Sequence, residues 1–209
     1  MATPPDSPGI EEVVFEVEQF RPPKHIPVPL EDLCRQTKFT RQEIRVMYRG
    51  FKQECPGGLV HEDAFKDIYA KFFPHGNSNM YAHYVFKAFD VNCSGAISFK
   101  DLLLTLSTLL RGSTYEKLRW AFKLYDINGD GCITRSELGE IVVAIHELMG
   151  KKHQHDVDRK ARTHVDTVFR KLDINQDGVI TLEEFIESCL KVCRYDHLIL
   201  ALSLTLNYC

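Results

Sequence analysis

The sequence lacks long apolar runs, paired cysteines and a strong charge of one sign. Its longest apolar stretch, Leu198–Leu206, is about half as long as a bilayer-spanning helix requires. Seven cysteines are scattered without a C-x-x-C pair, and Met1–Pro5 is not followed by a charged and then apolar leader, which predicts a cytoplasmic protein with reduced thiols. A net charge of −3 on 209 residues gives no bulk attraction to nucleic acid or to an anionic membrane.

Catalytic motifs are absent as well. The sequence contains no nucleophile–base arrangement and no phosphate-binding loop, so we expect no enzyme activity. His153 and His155 form a pair that could approach zinc, but no further ligands accompany them. A solvated linker is the better interpretation of that pair.

A repeat is the main positive feature of the sequence. Each copy has an aromatic residue, an Asp four residues later, a Gly five residues after the Asp and an Ile two residues further. The three clear copies have their Asp at Asp90, Asp126 and Asp173, which are 36 and 47 residues apart. A weaker copy upstream aligns through Tyr48 and Val60. Apolar residues at helical spacing flank every copy, so each copy predicts helix, loop and helix.

The third and fourth copies carry complete twelve-residue calcium loops. Such a loop supplies oxygen at positions 1, 3 and 5, a backbone carbonyl at position 7 and a bidentate Glu at position 12, with Gly at position 6 for a sharp turn. Oxygen ligands suit Ca²⁺ because it is a hard cation. The ligand positions, with Cys132 and Val179 acting through their carbonyls, are Asp126, Asn128, Asp130, Cys132 and Glu137 in the third loop and Asp173, Asn175, Asp177, Val179 and Glu184 in the fourth.

The first two loops depart from that pattern. The second loop has the shorter Asp at position 12, so we expect weak Ca²⁺, or Mg²⁺, or no metal there. Its candidate ligands are Asp90, Asn92, Ser94 and Asp101. The first loop, Gln53–Ala64, ends in Ala and has Cys55 and Gly57 inside it, which predicts an inactive loop that supports its neighbour.

These patterns predict an all-α fold of four EF-hands in two pairs, with two-residue β-bridges that join Val60 to Ile97 and Ile133 to Ile180. The predicted divisions are a flexible segment at 1–29, a pair at 30–112, a pair at 113–190 and an atypical apolar segment at 191–209. A linker loop is predicted at 150–160, where the extra residues between the third and fourth copies fall. Thr40 and Glu43 have the spacing of a capping box.

A family resemblance supports this interpretation. Phe51–Gly58 reads F-K-Q-E-C-P-G-G and resembles the disabled first hand of the neuronal calcium sensor superfamily. Within that superfamily, several short motifs resemble the Kv-channel-interacting proteins (KChIPs). The motifs are Tyr48–Lys52, Phe72–Gly76, Tyr81–Tyr84, Leu109–Gly112 and Glu116–Trp120. The resemblance implies a cytoplasmic subunit of Shal-type A-type potassium channels that is recruited to the plasma membrane through the channel and alters its surface expression and inactivation.

Calcium-driven opening of the helix pairs predicts an apolar groove for an amphipathic helix, and the resemblance implies its partner. The partner would be the N-terminal cytoplasmic segment of the channel, bound as an amphipathic helix when calcium opens the helix pairs. The candidate groove residues are Phe72, Phe73, Tyr81, Tyr84, Phe86, Phe89, Leu102, Leu106, Leu109, Leu110 and Trp120. Residue 2 is Ala, so we expect no myristoyl anchor. For Leu198–Leu206 three alternatives stay open: a helix in the chain's own groove, an exposed surface that self-associates, or a membrane-facing anchor.

Other functions stay open beside the channel. A pure calcium buffer is disfavoured because two incomplete loops waste half its capacity. Regulation of a different receptor, kinase or cyclase remains an alternative, as does calcium-dependent repression of transcription. DNA binding is disfavoured because the basic run Lys151–Arg162 lies in a chain that is acidic as a whole.

Overall fold

The computed structural model describes residues 28–150 and 155–192. Within these ranges the helices are α1 (Leu30–Gln36), α2 (Arg41–Glu54), α3 (Glu62–Phe72), α4 (Asn79–Phe89), α5 (Phe99–Arg111), α6 (Thr114–Tyr125), α7 (Arg135–Leu148), α8 (His155–Leu172) and α9 (Leu182–Val192). The strands are β1 (Leu59–His61), β2 (Ala96–Ser98), β3 (Cys132–Thr134) and β4 (Val179–Thr181). The all-α class with small β-bridges is confirmed.

Side-chain caps fix where several helices begin. Thr40 accepts the backbone N–H of Glu43, whose carboxylate accepts the Thr40 N–H in return, so the predicted capping box before α2 is present. The same reciprocal pair stands at the start of α5, α6 and α7. Each box satisfies two N–H groups that a helix would otherwise leave without a partner.

Short antiparallel strands join the loops in pairs. Val60 lies opposite Ile97 in β1 and β2, and Ile133 lies opposite Ile180 in β3 and β4. Both predicted pairings are confirmed, but each ladder has three residues per strand instead of two. All four central side chains are buried, so each ladder places two apolar residues in the core beneath its loops.

The two helix–loop–helix pairs are held together by contacts on two sides. Phe89 of α4 packs edge-to-face on Trp120 of α6, with ring centroids 5.8 Å apart. In a second contact between the pairs, the Lys38 ammonium donates to the carboxylate of Glu116 on α6 at 3.0 Å, whereas Arg111 pairs with Glu43 and so joins α5 to α2 within the first pair. The second pair therefore has a defined position against the first.

A further contact joins the connection between α3 and α4 to the end of α7. The Asn77 N–H donates to the carbonyl oxygen of Glu147 at 2.9 Å, and the Asn77 amide donates to its carboxylate at 3.1 Å. Gly76 permits this approach, because a Cβ on it would lie 1.8 Å from the carbonyl oxygen of Leu148.

The predicted linker at 150–160 is wrong in its second half. Helix α8 begins at His155 and runs for 18 residues, so most of that polar stretch extends the first helix of the fourth unit. Residues 151–154 lie outside the described residues, as do the predicted flexible segment through residue 27 and the apolar stretch Leu198–Leu206. In the described ranges no helix is long and apolar enough to cross a membrane.

Candidate calcium sites and target groove

The second, third and fourth loops share one backbone path. Their sixth residues, Gly95, Gly131 and Gly178, have φ between 78° and 90°, a region that only glycine adopts without strain. In each loop this glycine N–H donates to the Asp at position 1, at distances from 2.7 to 3.2 Å. The turn at position 6 therefore folds the loop around its first carboxylate, as a calcium loop requires.

The twelfth residue anchors the loop to the helix that follows. Glu137 and Glu184 each accept the N–H and hydroxyl of the preceding Thr through one oxygen. Their second oxygens accept the backbone N–H of Asn128 and Asn175, at 3.2 Å in both loops. The Glu side chain thus reaches back across the loop toward position 3 while it caps α7 or α9.

The fourth loop contains a buried carboxylate oxygen with no protein partner. Asp173 is 8% exposed, and its Oδ2 accepts the N–H of Gly178, but its Oδ1 has no hydrogen bond. A buried anionic oxygen without a partner is costly, and a cation bound in the loop would remove that cost. The residues present therefore fit a Ca²⁺ ion.

Electrostatics of the paired loops favour a cation as well. Burial is the first cause that raises the pKa of the Cys132 thiol, and the carboxylates of Asp130, Asp126, Asp177 and Glu184 raise it further. The last two belong to the fourth loop, so the negative fields of both loops overlap at Cys132. The N–H of Thr181 is the main cause that lowers the pKa of Glu184, which keeps this side chain ionised.

The carboxylates do not yet converge on one point. In the described ranges no group of three or more His, Cys, Asp or Glu side chains is placed to hold a metal ion. The reason is visible in the third loop, where Asp126 Oδ1 accepts the N–H groups of Gly129 and Asp130. A bound ion would compete with these N–H donors for the same oxygens.

The second loop uses its carboxylates differently. Asp90 Oδ1 accepts the N–H of Ser94 at 3.0 Å and Asp90 Oδ2 accepts the N–H of Gly95 at 2.7 Å. Asp101 is one bond shorter than Glu, and it contacts the amide of the Asn92 side chain at 3.5 Å instead of the Asn92 backbone N–H. Both carboxylates are buried and both are satisfied by donors of the protein itself.

The first loop is a tight turn followed by a strand. Cys55 is buried in the core, and its carbonyl oxygen accepts the N–H of Gly58 at 2.9 Å. Glu62 near the end of this loop pairs with Lys66 and His83. This loop contributes β1 to the ladder with β2.

Most of the predicted groove residues are buried in the core. Tyr81, Tyr84, Phe86, Phe89, Leu109 and Trp120 are buried, Phe73, Leu102 and Leu106 are half-buried, and Phe72 and Leu110 are exposed by 63% and 46%. The predicted groove residues are therefore of two kinds, those buried in the core and those at least partly exposed at the surface.

Helix α3 forms the open wall of this surface. None of its residues is buried, although its sequence includes Phe65, Ile68, Tyr69 and Phe72. Tyr69 stacks on Phe73 with ring centroids 5.2 Å apart, and Phe65 lies 5.7 Å from Phe86 by the same measure. We use the name α3–α5 groove for the partly or largely exposed apolar residues of α3, the residue after it and α5, which are Phe65, Tyr69, Phe72, Phe73, Leu102 and Leu106.

Phe65 and Tyr69 were not among the predicted groove residues. Phe65, Tyr69 and Phe73 follow one another at intervals of four residues, which is typical of one face of a helix. This spacing could have identified Phe65 and Tyr69. Helical spacing alone does not distinguish an open face from a buried one, so burial had to come from the structure.

Comparison with known protein families agrees with the geometry. Residues 115–190 match a family described as an EF-hand domain pair, and residues 56–106 match a second family of the same description. The first match spans the loops that begin at Asp126 and Asp173, and the second contains the loop that begins at Asp90. The chain is therefore an EF-hand protein with two EF-hand domain pairs, which are helix–loop–helix units of a family associated with calcium binding.

Proposed function

We propose that this protein is a calcium sensor whose third and fourth loops bind Ca²⁺ and whose α3–α5 groove binds an amphipathic target segment. The ligands would be Asp126, Asn128, Asp130, the Cys132 carbonyl and Glu137, with the equivalent residues of the fourth loop. Sensor sites of this type have Kd values of roughly 10⁻⁷–10⁻⁵ M, which spans the range of a cytosolic signal. The second loop would be weak or would take Mg²⁺, and the first would bind no metal.

The open face of α3 is the observation that carries the target proposal. This eleven-residue helix has no buried residue, and of its four large apolar side chains Phe72 is 63% exposed while Phe65, Ile68 and Tyr69 are partly exposed. Monomeric proteins rarely expose such a surface unless it meets a partner. An amphipathic helix would cover it with apolar residues at three- and four-residue spacing.

Helix α7 offers a route from the third loop to the groove. Its first turn carries Glu137, and its middle is joined to α4 by the Tyr84 hydroxyl, which donates to the Glu140 carboxylate at 3.2 Å. Its last turn accepts hydrogen bonds from Asn77, in the connection that follows α3. A calcium ion that moves Glu137 would therefore act on α4 and on the connection between α3 and α4.

The proposed partner is the N-terminal cytoplasmic segment of a Shal-type potassium channel. The support is the resemblance of the motifs around Tyr48–Lys52 and Phe72–Gly76 to the KChIPs, and Phe72 and Phe73 are on the wall of the groove. The protein would then be cytoplasmic, would reach the plasma membrane through the channel, and would change its surface expression and inactivation.

Calorimetric titration of the full chain with a Shal-type N-terminal peptide tests this proposal, in calcium and in chelator. We expect binding that is stronger in calcium, and we expect Phe72→Ala with Phe73→Ala to weaken it by about tenfold or more, because large aromatic side chains dominate such interfaces. Tyr115→Ala is the matched control, since Tyr115 is an exposed aromatic on α6, outside the groove.

Two results would count against the proposal. An equal loss of affinity in the Tyr115 variant would show that the groove is not the specific binding site of the peptide. Absence of peptide binding under both conditions would reject the channel partner and leave a calcium sensor with a different target.

A further inference from the structure

An apolar cavity lies beside α2, and buried core residues form part of its lining. It has a volume of about 360 Å³ and opens between α1, α2 and the start of α5. Its apolar lining comes from Leu30, Ile44, Tyr48, Phe51 and Phe99. The ring of Tyr48 stands edge-on to Phe99 with centroids 5.0 Å apart and is partly exposed, so an aromatic wall faces the opening.

The rim of this cavity is positively charged. Arg45 and Arg49 project from successive turns of α2, and Lys52 and Lys100 complete the rim. Arg45, Arg49 and Lys100 form no ion pair with any acidic side chain of the described residues, and the Lys52 ammonium donates to the carbonyl oxygen of Pro56. An occupant of this cavity should therefore combine an apolar side chain with negative charge.

The inactive first loop supplies part of the cavity wall. Gly57 and Gly58 line it, and Gly58 has φ of 82°, which keeps the chain close to the Lys52 side chain. The turn that replaces a metal site in this loop thus shapes the cavity.

The chain itself contains a segment with the required chemistry. Residues 10–20 read I-E-E-V-V-F-E-V-E-Q-F, with Phe15 and Phe20 among four Glu residues. The first 20 residues contain five acidic residues and no Lys, Arg or His. Their charge is opposite to that of the rim, so the two attract each other at ordinary ionic strength.

Connectivity also favours this segment. Val28, the first described residue, lines the cavity, so the preceding chain starts at the opening. Eight residue steps separate Phe20 from Val28 and can span at most roughly 25–30 Å, enough to turn back to the rim. A tethered segment has an effective concentration on the order of millimolar, which a free acidic peptide rarely reaches.

We propose that residues 10–20 of this chain bind in the cavity, with an aromatic side chain against Tyr48 and Phe99 and glutamates on the cationic rim. The segment then acts as an internal ligand of the cavity between α1, α2 and the start of α5. A partner that needs this cavity would have to displace the segment. This inference is independent of the identity of the groove's target.

Carbodiimide cross-linking of the full chain gives the first test. We expect amide bonds between Glu16 or Glu18 and the amines of Lys52 or Lys100, located by mass spectrometry. Lys71, an exposed lysine on α3, is the internal control and should not react with this segment. Lys52→Arg with Lys100→Arg keeps the rim charge and should abolish the products.

Hydrogen exchange of the full chain gives the second test. Arg45→Glu with Arg49→Glu, and separately Glu16→Lys with Glu18→Lys, should each speed exchange at residues 10–20 by about tenfold, since each reverses two charges of the contact. Combining all four substitutions should restore slow exchange. The control is Lys71→Glu with Arg119→Glu, which reverses two exposed cations away from the cavity.

Several outcomes would overturn the proposal. One is cross-linking to Lys71 at the same yield as to Lys52 and Lys100. Another is exchange at residues 10–20 that the rim variant leaves unchanged. Products that join two chains and increase with protein concentration would assign the cavity to a second copy instead. The Glu16→Lys, Glu18→Lys variant leaves every described residue unaltered, so it tests the contact even if the α2 variant folds poorly.

Discussion

The second and fourth loops follow the same backbone path and use their carboxylates in different ways. In the second loop, both oxygens of Asp90 accept backbone N–H groups, and Asp101 is held by Ser98 and Asn92. In the fourth loop, one oxygen of Asp173 is buried without a partner. Loops with the same backbone path can therefore differ in whether the protein itself satisfies their carboxylates. One loop keeps the turn and satisfies its first carboxylate, and the other keeps the turn and leaves a buried carboxylate oxygen that a bound cation would neutralise.

The largest expected effect comes from giving the second loop the ligands of the fourth. Ser94→Asp with Asp101→Glu restores two carboxylate positions, and the longer Glu can reach the backbone N–H of Asn92. We expect the loop to go from binding weaker than about 10⁻³ M to a Kd of about 10⁻⁵ M or better, a gain of at least about a hundredfold. Equilibrium dialysis would then show one additional calcium ion per chain.

The matched control for that experiment is Ser94→Asn with Asp101→Gln, which has the same side-chain sizes without the negative charge. If both double variants bind the same number of calcium ions, side-chain charge does not explain the difference between the loops.

The next largest effect is expected from the β3–β4 ladder beneath the third and fourth loops. Ile180 is fully buried opposite Ile133, and Ile180→Ala should lower the free energy of unfolding by about 3 kcal/mol through lost burial and a cavity. Ile174→Ala is the control in the same loop, because Ile174 is 48% exposed and its loss should cost less than about 0.5 kcal/mol. Urea unfolding in chelator measures both values. A similar decrease in the free energy of unfolding for both variants would mean that the buried ladder residue contributes no more to stability than an exposed one.

Removal of one ligand from the fourth loop should have a comparable effect on calcium. We expect Glu184→Gln to weaken binding at that loop by about a hundredfold, since a bidentate carboxylate becomes a neutral amide. Glu183→Gln removes the adjacent charge, which lies at a non-ligand position, and should change affinity by less than about threefold. Competition with a chromophoric chelator measures both variants, and an equal loss in the two would refute a specific role for Glu184.

The smallest expected effect concerns the contact between Arg111 and Glu43, which joins α5 to α2 within the first pair. The hydrogen bond from Arg111 is the largest cause that lowers the pKa of Glu43 to about 2, and the Thr40 N–H adds to it. Because the folded-state pKa is below the unfolded value, this contact stabilises the protein fully above about pH 5 and loses its contribution as the pH falls toward 2. Both side chains are exposed, so screening keeps the effect small.

Glu43→Gln should remove that part of the pH dependence. Urea unfolding of the wild type and the variant in chelator, between pH 7 and pH 3, should give free energies that converge as the pH falls. A constant difference across this range would show that the Glu43 charge does not contribute. Glu31→Gln is a suitable control, because Glu31 is exposed and pairs with Arg41 of α2 instead of Arg111.

Much of the fold was predictable from the sequence because the residues that fix the turns, helix starts and strand pairs lie within each repeat. Gly131 and Gly178 are required where φ is positive, Thr40 caps a helix three residues before Glu43, and Ile133 and Ile180 recur at the same place in each loop. Those constraints act within twelve to fifteen residues. The order of helices, loops and ladders followed from them directly.

The start of α8 at His155 could not be predicted in the same way. The stretch before Lys160 is polar and basic, so its periodicity gives no core-facing stripe. Its helical state depends on continuation from the amphipathic part of α8, which packs against α7. Helix propensity over a short polar stretch is a weak guide when tertiary packing decides whether that stretch is helical.

The sequence by itself determined the two complete calcium loops, the paired hands and the incomplete loops, because ligand type and spacing are local properties. Only the tertiary structure decided which aromatic residues are core and which form a surface. Phe72 and Phe86 are both phenylalanines on helices of the first pair, yet one is exposed and the other is buried. The tertiary structure alone also brought Arg45, Arg49 and Lys100 around one apolar cavity. Burial and charge convergence depend on how separate helices pack, and residue spacing within one helix carries no information about its neighbours.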